Sequence, residues 1–236
     1  MRRPTAAVIL IISLFMSVPV IAGELNDGIA SYDRGDYETA YRLIKPLAEQ
    51  GSSKAQNNLG IMYDKGQGVP QDYTEAVKWY LKAAKKGNAR AQTNLGLMYY
   101  KGRGVPQDYA EAAKWYRKAA DQGRVDAQFA LGGIYFGGEG VPQDYAEAAR
   151  CFRKAADQGF PPAQVFLGYM YSSGQGVPQD DVLAHMWLNL GIPGFPPGID
   201  TKLPTVTINE VASRMTDAQI IEAQKLAREW KPKKER

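Results

Sequence analysis

The sequence predicts an all-α fold: an α/α superhelix, or solenoid, of about five helical hairpins closed by a C-terminal capping helix. Three observations predict it. Four segments, opening at Ala55, Ala91, Ala127 and Ala163, align without gaps at a period of 36 residues. The residues that dominate them, Ala, Leu, Lys, Glu and Gln, favour helix. Within each half-repeat the apolar positions recur at i, i+4 and i+7, the spacing of one helical face. A lone hairpin cannot bury both of its faces, so successive copies must stack.

The chain opens with Arg2 and Arg3 ahead of an apolar stretch from Ala6 to Val18, then Pro19 and Val20-Ile21-Ala22. This reads as a secretory signal peptide over residues 1–22, cleaved after Ala22. The alternative is an uncleaved anchor, for which the stretch is short against the roughly 20 residues of a bilayer span. No later stretch is apolar enough to cross a membrane, so none is expected after cleavage. The expected location is the periplasm or the medium.

The tandem repeats occupy about 23–190. A degenerate first hairpin covers about 25–52, in which Gly35-Asp36 replaces a longer loop. Full copies follow at about 53–88, 89–124 and 125–160, and a last one at 161–190. Each full copy reads as helix A, a G-x-G-V-P-Q-D loop and helix B. In the first, helix A runs roughly from Ser53 to Lys65 and helix B from Tyr73 to Lys86. Gly66, Gly68 and Pro70 interrupt the helical period. Asp72 with Glu75, Asp108 with Glu111 and Asp144 with Glu147 read as capping boxes, while Asp180 keeps only the cap. Gly87, Gly123 and Gly159 are helix stops. Core positions are Ala55, Leu59, Met62 and Tyr63 on helix A, and Ala76, Trp79, Tyr80 and Ala83 on helix B. A glycine inside helix A (Gly60, Gly96, Gly132, Gly168) costs about 1 kcal/mol against Ala. Its recurrence predicts that another helix approaches too closely for a side chain.

These residues resemble the Sel-one-like repeat (SLR) family, relatives of the tetratricopeptide repeats. The resemblance rests on A-Q-x-x-L-G-x-x-Y, G-x-G-V-P-Q-D and A-x-K-W-Y-x-K-A-A, and covers about Leu25 to Leu190. It implies a scaffold for protein–protein interaction, and for secreted bacterial members an envelope adaptor or regulator. Some relatives carry a disulfide in each repeat; this chain has one cysteine, so no chemistry of those members carries over.

Beyond the repeats, residues 191–236 read as a loop (Gly191 to Gly198), a short helix closing at Val211 and Met215, a last helix and a basic tail. Thr216 caps the last helix with Gln219 as its partner, and Ile220, Ala223, Ala227 and Trp230 line one face. The tail from Lys231 to Arg236 reads as a solvated end, with contact to anionic lipid or cell-wall polymer as the alternative.

Composition narrows the function. The 236 residues are 44% hydrophobic and 23% charged, with a formal charge of +4. Loss of Arg2 and Arg3 leaves a small, evenly spread excess of basic side chains, which argues against nucleic acid. The G-x-G loops lack the G-K-[ST] ending of a phosphate cradle. His185 has no partners spaced for a triad or a metal site. Cys151 takes the register of Trp79 and Trp115 and reads as a buried, unreactive thiol. No catalytic residue, metal or cofactor is expected. The alternatives are a cell-wall-acting or lactamase-like enzyme and a cell-wall polymer-binding module.

Comparison between copies singles out a candidate binding face. Positions constant between copies build the fold, and positions that vary are free of that duty. On helix A the varying set is 57, 61, 64 and 65, spaced to share a face. The resemblance places that face on the concave surface. It carries Asn57, Ile61, Asp64 and Lys65, then Thr93, Leu97, Tyr100 and Lys101. The third copy carries Phe129, Gly133, Phe136 and Gly137, and the fourth Val165, Tyr169, Ser172 and Ser173. Leu97, Tyr100, Phe129, Phe136 and Tyr169 are the expected anchors for a protein or peptide partner, with Asn57, Ile61 and Asp64 beside them. Packing between repeats is the competing account of the same side chains.

Overall fold

The computed structural model describes residues 17–233, with side chains from 23 onward. The expected signal peptide therefore lies mostly outside the described residues, as do 234–236 of the tail. Among the described residues there are twelve α-helices and no strand, as the repeat predicts. They fall into two compact units, Met1–Gln107 and Asp108–Arg236. No helix among the described residues is long and apolar enough to cross a membrane.

The first unit holds α1 (Ser17–Asp33), α2 (Tyr37–Glu49), α3 (Ser53–Lys65), α4 (Tyr73–Lys85) and α5 (Ala89–Lys101). Each packs on the next. Leu25, Ile44, Leu47, Leu59 and Met62 form one buried cluster, and each such side chain contributes roughly 1.5–3 kcal/mol. The second unit holds α6 (Tyr109–Ala120), α7 (Val125–Gly137), α8 (Tyr145–Asp157), α9 (Pro161–Ser173) and α10 (Asp181–Gly191). A 3-10 turn over Ile192–Gly194 follows, then α11 (Lys202–Ser213) and α12 (Asp217–Glu229).

The glycine inside helix A does what its recurrence predicts. A Cβ on Gly60 would lie 2.6 Å from the Tyr80 ring, and one on Gly132 2.7 Å from the Phe152 ring. The intruding group is the large side chain of helix B in the same hairpin. The second loop glycine serves stacking between hairpins instead. Gly140 has φ +69°, and a Cβ there would meet Ala110 N at 2.6 Å. The G-x-G loop is thus a close backbone contact.

Two recurring glutamines that sequence periodicity leaves unexplained bond to carbonyls at helix ends. Gln56, Gln92, Gln128 and Gln164 are buried. Each donates through Nε2 to the last-turn carbonyl of the preceding helix B, at 3.0 Å for Gln56 on Ala48 and 3.1 Å for Gln92 on Ala84. The loop glutamines Gln71, Gln107 and Gln143 donate to the carbonyls of Asp64, Tyr100 and Phe136 at 2.7–2.9 Å. Both sets satisfy helix C-terminal carbonyls that have no partner within their own helix.

The capping boxes are half right. Asp72 Oδ1 accepts from Glu75 N at 3.0 Å, but Glu75 turns to Lys78 at 2.6 Å. The Asp72 backbone N–H is already donated to the Tyr63 carbonyl, so the return bond has no donor left. The full box forms at Thr216–Gln219, where the Thr216 backbone N–H donates to Gln219 Oε1 at 2.9 Å. Trp79 corrects the helix B core: it is half-buried, with Lys82 Nζ 3.9 Å from its ring centroid, and Val77 is buried beside it. The tail is exposed as far as it is described, through Lys233, yet it is tethered, and the residue before it is packed. Trp230 packs edge-on to Trp187 at 6.0 Å, and Lys233 donates through its backbone N to Asp157 O at 2.7 Å.

Candidate partner-binding site

Helix A presents its varying residues differently from the expected set. Asn57 is only 3% exposed, and its Oδ1 accepts from Asn94 Nδ2 at 3.1 Å. Asn57 thus faces the neighbouring hairpin, not an open surface, and in the second unit Val165 of the same register is buried likewise. In the first unit the more open stripe is rotated by about one residue, to 54, 58, 61 and 65 and to 90, 94, 97 and 101. Positions 58, 94, 130 and 166 (Asn, Asn, Ala, Phe) also vary between copies, so the sequence carries a signal of this register as well.

In the first unit that stripe lines a cavity of about 420 Å³. Ile61, Asp64 and Leu97 are all in its wall. With them stand Asn58 and Lys65 from α3, Arg90 and Asn94 from α5, and Tyr32 and Asp33 from α1. Ile44 and Tyr80 come from helix B positions. Leu97 is 37% exposed, a large apolar side chain left open at the mouth. Burial, with the Asp64 carboxylate nearby, holds the Tyr80 phenol well above its ordinary range, so it stays neutral. The degenerate first hairpin contributes to the wall alongside the full copies.

Tyr100 is half-buried near the end of α5. The aromatic anchors of the second unit behave otherwise. Phe129 is half-buried among Phe152, Phe160 and Phe166, with ring centroids at 5.5, 5.3 and 5.6 Å. Phe136 meets Tyr145 at 5.2 Å and Phe166 at 6.3 Å. Tyr169 meets Phe166 at 6.1 Å, and burial raises its phenol pKa. These rings engage one another across neighbouring hairpins.

The residues weighed for chemistry are placed as follows. His185 is buried, its Nδ1 without a hydrogen-bond partner, and burial lowers its pKa. Cys151 is buried, and burial pushes its thiol pKa up, the opposite of an activated nucleophile. Among the described residues no three His, Cys, Asp or Glu side chains are grouped to hold a metal.

Comparison with known proteins agrees with this architecture. The Sel1 repeat matches residues 53–88, 89–123, 125–160 and 161–192. A Sel1 repeat protein from Oxalobacter formigenes is 33% identical with TM-score 0.68, over 82% of this chain and 86% of that one. The protein c5321, a protective antigen of uropathogenic Escherichia coli strains with an SLR fold, is 36% identical with TM-score 0.70. That match covers 90% of this chain and 51% of the antigen. DAP3-binding cell death enhancer 1 of Rattus norvegicus is 38% identical over 50 residues, 21% of this chain. The chain spans only 10% of that curated relative's length. Repeats of this kind generally form non-enzymatic scaffolds for protein–protein interaction. With four matched repeats over more than half its length, and a relative matched along most of both chains, the chain belongs to the Sel1 repeat family.

Proposed function

We propose that this protein is an exported scaffold that binds a protein or peptide partner through the helix A face, at the cavity of its first unit. The observation that carries the reading is convergence. Ile61 and Asp64 from one repeat and Leu97 from the next, singled out because they vary where the fold does not require them to, line one cavity. Its volume is within the range of small-ligand sites, and it mixes apolar walls with a few polar groups. Export rests on the charged and apolar pattern of residues 1–22.

The test is a crosslinked pull-down from the envelope fraction, comparing wild type with an Ile61→Arg, Leu97→Arg double variant whose thermal melt is unchanged. The expected outcome is loss of the crosslinked partner with the variant. Equal capture by both proteins sinks the site. Cell fractionation, with the N-terminal sequence of the mature protein, tests export: a protein beginning at Gly23 in the soluble envelope fraction is expected, and one found in the cytoplasm contradicts it.

A further inference from the structure

The lining of the first unit's cavity is graded along the helix axes. The repeat register gives the levels. Arg90 holds the register of Lys54, at the N-terminal end of its helix, and Asn58 and Asn94 share the next level. Ile61 and Leu97 share the level above. Asp64 and Lys65 end α3. The bond from Asn94 to Asn57 at 3.1 Å ties α3 and α5 at this level. The first hairpin joins at the same height: Asp36 N donates to Ser31 O just as Asp72 N donates to Tyr63 O. Tyr32 and Asp33 therefore match Asp64 and Lys65, and Ile29 falls near Ile61.

One end of the cavity thus carries two carboxylates, Asp33 and Asp64, against the exposed Lys65. The middle is an apolar belt of Ile29, Ile61 and Leu97 above a pair of amides. The far end carries Arg90, with no acidic side chain among the lining residues at its level. The two ends have opposite sign. The backbone positions that carry them are ten residues apart in register, roughly 15 Å along the helix axes, which an extended chain of roughly four to five residues spans.

We propose that this cavity takes an extended segment of roughly four to five residues from the partner protein, apolar in its centre. A basic side chain of the segment lies at the Asp33–Asp64 end and an acidic one at Arg90. The inference rests on the binding reading above and names the chemistry of what binds. The amides of Asn58 and Asn94 sit where they can donate to, and accept from, the peptide backbone between the two ends. Opposite charges at the ends fix register and select against segments with like ends.

The probe is a set of fluorescent pentapeptides with a Leu-Ala-Leu centre and every combination of Lys, Glu and Gln at the two ends, titrated against the purified protein. Peptides with one Lys and one Glu end are expected to bind roughly tenfold more tightly than Gln-ended or like-charged ones. Arg90→Glu is expected to remove that preference and to favour peptides with Lys at both ends. Equal binding of all end combinations, no binding of any, or an unaltered preference in Arg90→Glu overturns the proposal. The envelope pull-down separates the two levels of the claim. Capture lost with the Ile61→Arg, Leu97→Arg variant but kept with Arg90→Glu rejects the charged segment and leaves the site standing. Capture indifferent to both rejects the site as well.

Discussion

The two units are built from the same repeat, yet they spend the varying helix A positions differently. At the register of position 58 the first unit places Asn58 and Asn94, which line a cavity. The second places Ala130 and Phe166, and the ring of Phe166 meets Phe129, Phe136, Phe152 and Tyr169. A short polar side chain leaves space in front of helix A, and a phenyl ring fills it. Variation between copies is therefore two signals in one. Some of it marks release from packing, and some marks a different packing solution.

The sharpest test of that difference is Phe152→Ala. The side chain is fully buried, lies against Gly132 and stacks with Phe166 at 5.2 Å. Its loss is expected to cost about 3–5 kcal/mol in urea-induced unfolding of the second unit. A cost under about 1 kcal/mol would mean that the aromatic cluster is not a core.

Next comes Asn57→Ala in the first unit. It removes the acceptor for Asn94 and leaves a buried site empty, at an expected cost of about 1–2 kcal/mol. If the variant is as stable as wild type but loses the partner, then Asn57 belongs to the binding surface and the rotated stripe is wrong. Leu97→Ala is expected to lie within about 0.5 kcal/mol of wild type, because the side chain is already partly in water. Its effect should show in partner affinity instead.

The outcome for these residues explains what could be read from the chain alone. The hairpins, their loop glycines and the Asp caps of helix B follow from local rules that the full copies share, so a period of 36 exposes them. The expected face was off by about one position because Asn57 varies for a reason that periodicity does not carry: a hydrogen bond to the neighbouring repeat. Arg90 and Asp33 were missed for different reasons. Arg90 opens α5, a turn before the positions compared, and Asp33 sits in a hairpin whose loop is too short to align. The rings of Phe129, Phe136 and Tyr169 looked like anchors because sequence comparison cannot tell an exposed ring from one stacked on the next hairpin. Gln56 and Gln71 recur faithfully, and their constancy was the available sign that they belong to the fold.

His185 offers the smallest and most specific test, because it takes a position held by Val77 in the first unit. It is buried, its Nδ1 has no partner, and burial lowers its pKa. The unfolded chain takes up a proton on this ring near the ordinary value of about 6.5, while the folded chain does not until lower pH. Acid therefore favours unfolding through this group: its contribution is unchanged above about 6.5 and falls as pH drops below it, levelling off once the folded-state pKa is reached. Carboxylates elsewhere add their own dependence, so the informative quantity is the difference from His185→Val. Urea midpoints measured at intervals from pH 7.5 to about pH 5 should converge on or cross those of the valine variant at the acid end only if wild type starts the more stable. Whatever the starting order, the wild type must lose more stability on acidification. Parallel curves would mean that the ring is protonated equally in both states, and that the second unit, unlike the first, opens this helix B position to water.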